Sequence, residues 1–248
     1  MDLPDLVAHR GWAKRYPENT LAALSAALDA GARWLETDVQ ISADGVPVLF
    51  HDRTLERMCG VRGAVHQRSA ADLRGLACPQ RAAFGESFAT ERIATLSDLV
   101  DLLRRHPDAT AFVEVKRASI EHFGLARVLD RVLAAVEPAR EQVVLISFSV
   151  PLLLEAREKT TLPLGAVFDR WDDREAPAIL DLVPEYVFCD VEGLPKDDAL
   201  VHPGARVALY EVADPQLALD LGARGAELIE TFEIGEMIEA FGRIASEA

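Results

Sequence analysis

The stretch RWLETDVQISADGVPVLFHD, residues 33–52, decides the architecture. Two apolar runs, 33–39 and 46–50, flank ISADGVP. Asp44-Gly45 between such runs is a strong hairpin signal, and the gap is too short for a crossover helix. The second run is therefore expected to return antiparallel beside the first, bringing residue 51 near residue 36. This turn settles a count. Further candidate strands lie at 5–9, 110–116, 142–148, 163–168, 186–191, 205–212 and 226–230, and most are separated by amphipathic stretches. Strand–helix alternation over the whole chain argues for parallel βα units. A length of 248 residues suits a (β/α)8 TIM barrel, which has eight staves. Setting 46–50 aside as a hairpin return leaves eight.

Within that frame TLAALSAALDAG, GLARVLDRVLAAVE and TLSDLVDLLRRH place Leu and Ala or Val at helical spacing. Thr95, with Asp98 three residues on, starts the last of these as a capping box would. Gly31 and Gly222 stand where helix C-caps are wanted. Residues 53–94 are the least regular part, with GVRGAV, a short helical SAADLRGL and a Gly/Ala/Phe-rich loop. They are expected to form a small insertion on one barrel face, within one domain spanning 1–248.

Composition narrows the function. Lys and Arg number 26 against 41 Asp and Glu, a net charge of −15. So acidic a chain is a poor binder of nucleic acid or other extended polyanions, although one small phosphate can still bind in a local positive or metal-containing pocket. Cys59, Cys78 and Cys189 offer neither a disulfide framework nor a CxxC pattern, so a reduced, cytoplasmic compartment is expected. The N-terminus lacks the basic-then-apolar order of a signal peptide. No apolar run approaches the ~20 residues of a membrane span, so no stable membrane insertion is expected.

Polar residues gather where the early strands end. His9 and Arg10 close the first, Glu36 and Asp38 the second, His51 the hairpin return, Glu114 and Lys116 the fourth. Residues i and i+2 of a strand share a face. A lone strand-end histidine is ordinarily structural, and a Glu-x-Asp pair an ordinary solvated strand end. Their convergence on the strands of one barrel mouth argues for chemistry. Glu36, Asp38 and Glu114, without clustered cysteines, suit one hard divalent cation, Mg2+ or Ca2+. His9 and His51 form an acid–base pair suited to neutral pH. Arg10 and Lys116 add positive charge for a phosphate. Together they suggest cleavage of a phosphate ester.

The blocks VAHRG, PENT, ETDVQISADGVPVLFHDRTLER and FVEVK closely resemble the glycerophosphodiester phosphodiesterase family. The similarity continues through IATLSDLVDLL and ISFS and, weakly, to GARGAELIETF. The resemblance implies a distorted barrel with an insertion after the second histidine. It implies hydrolysis of a small-molecule glycerophosphodiester to an alcohol and sn-glycerol 3-phosphate. The implied route is attack by the neighbouring glycerol hydroxyl, then opening of a cyclic phosphate by water. It gives His9 and His51 the proton transfers, Glu36, Asp38 and Glu114 the metal, and Arg10 and Lys116 the phosphate. Glu18 of PENT would shape the site near Arg10, while Asn19 and Thr20 would start a helix. A related barrel lipase acting on intact phospholipids, or a silent binding barrel, are the competing readings.

The C-terminal third departs from the family pattern. YEVAD keeps the aromatic Tyr210 but has Glu211 where a threonine is usual, and ETF has Phe232 where the family has Asp. The alcohol side of the pocket is thereby placed in question. Tyr210 and Phe148 are candidates for an apolar wall there. His66, His106, His122 and His202 show no ligand spacing, and Trp171 is expected in an exposed loop.

Overall fold

Residues 3–247 are described by a computed structural model of the chain. The strands are β1 (Asp5–Ala8), β2 (Trp34–Ile41), β3 (Pro47–Leu49), β4 (Thr110–Val115), β5 (Val143–Ser147), β6 (Leu164–Phe168), β7 (Tyr186–Asp190), β8 (Arg206–Tyr210) and β9 (Leu228–Thr231). Among the described residues they form one sheet, in the order β1-β9-β8-β7-β6-β5-β4-β2-β3, closed by a β1–β2 pairing. Every pairing is parallel except β2–β3. The result is an eight-stranded parallel barrel with β3 as an antiparallel annex.

The hairpin is present, with one correction. Val39 pairs Leu49 and Ile41 pairs Pro47, so the turn is centred on Asp44 and residue 51 falls opposite Thr37 rather than residue 36. β2 also runs on to Ile41, which leaves Glu36 and Asp38 in mid-strand rather than at its end. Gln40 shares their face. Its Nε2 donates to the carbonyls of Phe50 (3.0 Å) and His51 (3.1 Å), fixing the chain where it leaves β3.

Side chains alternate between two cores. Val7, Phe112, Val144, Phe188, Ala208 and Leu228 fill the barrel, while Leu24, Leu35, Leu99, Val113 and Leu153 pack strands against helices. Trp34 stacks on Phe112 (5.3 Å), which meets Phe188 edge-on (4.9 Å). Such pairs add roughly 0.5–1.5 kcal/mol each beyond area burial. They close the N-terminal end of the barrel, leaving the C-terminal end open.

Cap predictions divide. Thr95 and Asp98 form the capping box of the helix Leu96–Arg105. Gly31 follows Leu21–Asp29, donating to Leu28 O (2.9 Å) while Ala32 donates to Ala27 O (3.0 Å). Gly222, by contrast, lies inside the helix Pro215–Ala223, and Gly225 at φ 117° terminates it. A Cβ on Gly222 would meet Pro4 at 3.1 Å, so the position serves close packing instead.

Residues 53–94 hold short helices at Glu56–Cys59, Ala70–Gly75 and Arg81–Phe84, the last within the stretch expected to be a loop. Leu55, Met58, Val65, Leu73 and Cys78 form their own core with Val48 and Phe50. Trp171 is not exposed. It is buried, near Phe168 and beneath the Arg174 guanidinium, because a 3-10 turn folds it back under β6.

Candidate active site

β2 and β4 lie in register, with Asp38 opposite Glu114. One oxygen each from Glu36, Asp38 and Glu114 lie within 4.8 Å of one another, all buried. Burial and the Asp38 charge push Glu36 well above the ordinary carboxylate range. Glu114 is raised by burial, against the pull of Lys116. Burial also opposes ionisation of Asp38, but Arg10 and Lys116 overcome it and hold Asp38 low. The contacts explain this: Arg10 Nε lies 3.1 Å and Lys116 Nζ 3.0 Å from Asp38 oxygens, and Lys116 is 2.8 Å from Glu114. The Arg10 backbone N–H donates to Glu36 Oε2 (3.1 Å), while Glu36 Oε1 is buried without a hydrogen-bond partner among the described residues.

Asn19 does not start the helix. Thr20 alone caps it, its Oγ1 accepting from Ala23 N–H at 3.2 Å. Asn19 adopts a left-handed φ of 58° and turns into the site. Its Nδ2 donates to Asp38 Oδ2 (2.8 Å), and its Oδ1 accepts from Thr37 Oγ1 (2.6 Å) and Asp38 N–H (3.1 Å). It therefore fixes both the Asp38 carboxylate and the strand carrying it.

The histidines differ. His9 is buried and stacks flat on Phe232, ring centroids 4.3 Å apart. Burial and Arg10 hold its pKa well below 6.5, so the imidazole is neutral at pH 7. His51 is half-buried, its Nδ1 2.9 Å from Asp52 Oδ1. Asp52 is held low, against burial, by hydrogen bonds from His51 and Arg57. Arg57, from the 53–94 segment, bonds Asp52 (2.6 and 2.8 Å) and Glu18 (2.9 and 2.7 Å). Glu18 in turn accepts from Arg10 (3.2 Å). A polar relay thus runs His51–Asp52–Arg57–Glu18–Arg10. Glu18, His51 and Asp52 also offer clustered donor atoms, but the Arg57 guanidinium already binds both carboxylates.

A cavity of about 210 Å³ opens at this mouth. His9, Arg10, Glu36, His51, Glu114 and Lys116 line it, whereas Glu18 and Asp38 stand behind that lining. Phe148 and Tyr210 contribute to the opposite wall. The Tyr210 hydroxyl donates to Phe168 O (3.1 Å), and burial with the nearby Asp169 raises its pKa, so its ring rather than its hydroxyl is offered inward. His66 and His122 stack on each other at 4.0 Å and, like His106 and His202, do not line the cavity.

Asn19, Gln40, Arg57 and Glu230 were not singled out as site residues from sequence. Gln40 extends the Glu36–Asp38 face by two residues, a signal that was available. Glu230 stands two residues after the inward-facing Leu228, so it too was readable as inward. It lines the cavity, is 3% exposed, and its Oε1 has no hydrogen-bond partner among the described residues. Burial and the neighbouring carboxylates, Glu114 foremost, push it well above the usual range. Arg57 carries no local signal, since its partners lie five and 39 residues away.

The sequence profile of the glycerophosphoryl diester phosphodiesterase family matches residues 9–228. The chain belongs to that family. A glycerophosphodiester phosphodiesterase of Caldanaerobacter subterraneus subsp. tengcongensis is 33% identical over 144 residues, 58% of each chain. A probable glycerophosphodiester phosphodiesterase 1 of Mycobacterium tuberculosis is 34% identical over 172 residues, covering 64% of this chain and 62% of its own. The chain thus spans less than two thirds of the length of these curated relatives. Among solved structures, an Oleispira antarctica phosphodiesterase in complex with sn-glycerol-3-phosphate superposes with a TM-score of 0.84 over 97% of both chains, at 22% identity. That family likeness confirms the barrel expected from the strand count.

Proposed function

We propose that the chain hydrolyses glycerophosphodiesters to an alcohol and sn-glycerol 3-phosphate, using one divalent cation, Mg2+ or Ca2+, and a His9–His51 acid–base pair. The observation that carries this reading is the convergence of both histidines, Arg10, Lys116, Glu36 and Glu114 on one cavity, with Asp38 clustered with the two glutamates just behind its lining. The names of the curated relatives support it. The donor set suits a cation: three buried carboxylates crowd together, and Glu36 Oε1 has no protein partner. Glu36, Asp38 and Glu114 would hold it, and when bound it would offset negative charge on the phosphate.

The protein groups then divide the work. Arg10 and Lys116 face the phosphate and counter the charge that builds on it. His9, neutral and buried, receives the proton of the attacking hydroxyl. In its imidazolium form His51 would keep Nδ1–H on Asp52 and give its Nε2 proton to the departing alkoxide, ending as the neutral Nδ1–H tautomer. Asn19 and the Arg57 relay keep Asp38, Arg10 and His51 in place. Three buried free cysteines suit a cytoplasmic setting. Among the described residues no helix is long and apolar enough to cross a membrane. The test is release of glycerol 3-phosphate from glycerophosphocholine, lost with EDTA and restored by Mg2+ or Ca2+. Absence of release from any glycerophosphodiester, with metal supplied, would overturn the reading.

A further inference from the structure

The two histidines are held in place by different means. His51 has Asp52 within 2.9 Å of its Nδ1. The Nδ1 of His9 is buried with no hydrogen-bond partner among the described residues. Its Nε2 stands 3.7 Å from Glu36 Oε2, beyond hydrogen-bonding reach. The last torsion of a histidine side chain is broad, so a ring without a hydrogen bond can swing about it. What packs flat against His9 is Phe232, with ring centroids 4.3 Å apart and planes 9° from parallel. Phe232 is itself tightly carried. The His9 N–H donates to Thr231 O (3.0 Å) and the Lys14 N–H to Phe232 O (2.9 Å), so the chain leaving β9 is strapped to the loop that begins at His9. The Glu233 N–H, donating to Thr231 Oγ1 (3.1 Å), fixes the same turn from its other side.

We propose that Phe232 is the positioning residue of His9: its ring face sets the plane of the imidazole, where a proton-transfer histidine is ordinarily oriented by a hydrogen bond to its second nitrogen. This rests on the hydrolytic reading above and adds the group that aims its base. Because Nδ1 is buried, Nε2 is the nitrogen left to meet substrate, and a tilt of the ring carries it off the line to the attacking oxygen. Phe232 also lies under Arg10, whose Cζ is 5.5 Å from the ring centroid. Arg10, however, is tied independently to Asp38 (3.1 Å) and Glu18 (3.2 Å). Removing the ring therefore frees the histidine and leaves the arginine in place, and the effect falls on turnover rather than on phosphate binding.

The experiment measures kcat and KM for glycerophosphocholine at saturating Mg2+ or Ca2+ in two variants. Phe232→Leu keeps apolar bulk without a flat face, and Phe232→Tyr keeps the face. The expected result is a fall in kcat of about tenfold to a hundredfold in Phe232→Leu, with KM within about twofold, and recovery of most of that loss in Phe232→Tyr. An unchanged kcat in Phe232→Leu overturns the proposal. So does an equal loss in Phe232→Tyr, and so does a loss carried by KM, which would assign the effect to Arg10. Should Phe232→Leu fail to fold, Phe232→Met makes the same comparison. If the wild type hydrolyses no glycerophosphodiester, the reaction reading fails separately, and carbon-13 relaxation of the His9 ring decides the positioning. A ring more mobile in Phe232→Leu than in the wild type and Phe232→Tyr supports it, and equal mobility in all three refutes it.

Discussion

Asn19 shows how one buried amide can organise a site that others operate. It occupies a strained left-handed conformation and makes three hydrogen bonds to Thr37 and Asp38. Asn19→Ala should lower stability by roughly 1–3 kcal/mol, because Asp38 and the β2 amide lose buried partners. It should also weaken cation affinity; denaturant melts and metal titrations check both. His9→Ala and His51→Ala should each cost about 10²–10⁴ in turnover with the fold intact by circular dichroism. A near-wild-type rate in either would remove that residue from the proposed chemistry. Glu36, Asp38 and Glu114 were legible because they sit at strand positions whose facing follows from period two, and His9, Arg10 and His51 because they directly follow strands that end at the barrel mouth. Asn19 was not, because within PENT its side chain competes with an equally good helix-start reading. Its partners on β2 appear only once β1 and β2 are paired.

At the level of elements, the hairpin and the 53–94 segment build one wall between them. The Asp-Gly turn was plain in the sequence, whereas the face on which residue 51 emerges depended on a single residue of register. Gln40 settles that face by gripping the chain beyond β3. The segment delivers Arg57, which ties Asp52 to Glu18. Arg57→Met should lower kcat by roughly tenfold, as losses of supporting partners around a site typically do, with cation binding little changed. Equal losses in kcat and cation affinity would mean that the relay also shapes the carboxylate cluster. The misplacements of Gly222 and Trp171 have different causes. Gly222 is governed by packing against Pro4, far away in sequence, whereas Trp171 is folded back by a local 3-10 turn onto Phe168 and under Arg174, three residues to either side.

For the whole molecule, crowded carboxylates couple folding to pH. Glu36 and Glu230 are held above their ordinary value of 4.5, mainly by burial. Each contributes stability that is complete below pH 4.5 and lost as pH rises through its folded-state pKa, because the unfolded chain then binds fewer protons. His9 acts oppositely: its lowered pKa contributes stability present above pH 6.5 and lost as pH falls below it. Cation binding must displace protons from Glu36, so Mg2+ or Ca2+ should raise Tm more at pH 8 than at pH 6. Thermal scans with and without EDTA test this; a metal effect independent of pH would exclude Glu36 as a ligand. The barrel seam has a further consequence. β1 is held between β2 and β9, the His9 N–H donates to Thr231 O (3.0 Å), and Trp12 donates to Glu236, 224 residues away in sequence. The strand that leads to His9, made before the one that leads to His51, therefore gains its second partner only when β9 is made. A ribosome-bound chain that has not yet released β9 carries every proposed proton-transfer and metal-binding group, yet has no closed ring to hold them. Nascent-chain activity should accordingly appear in one step, when the final strand emerges, and not grow with length.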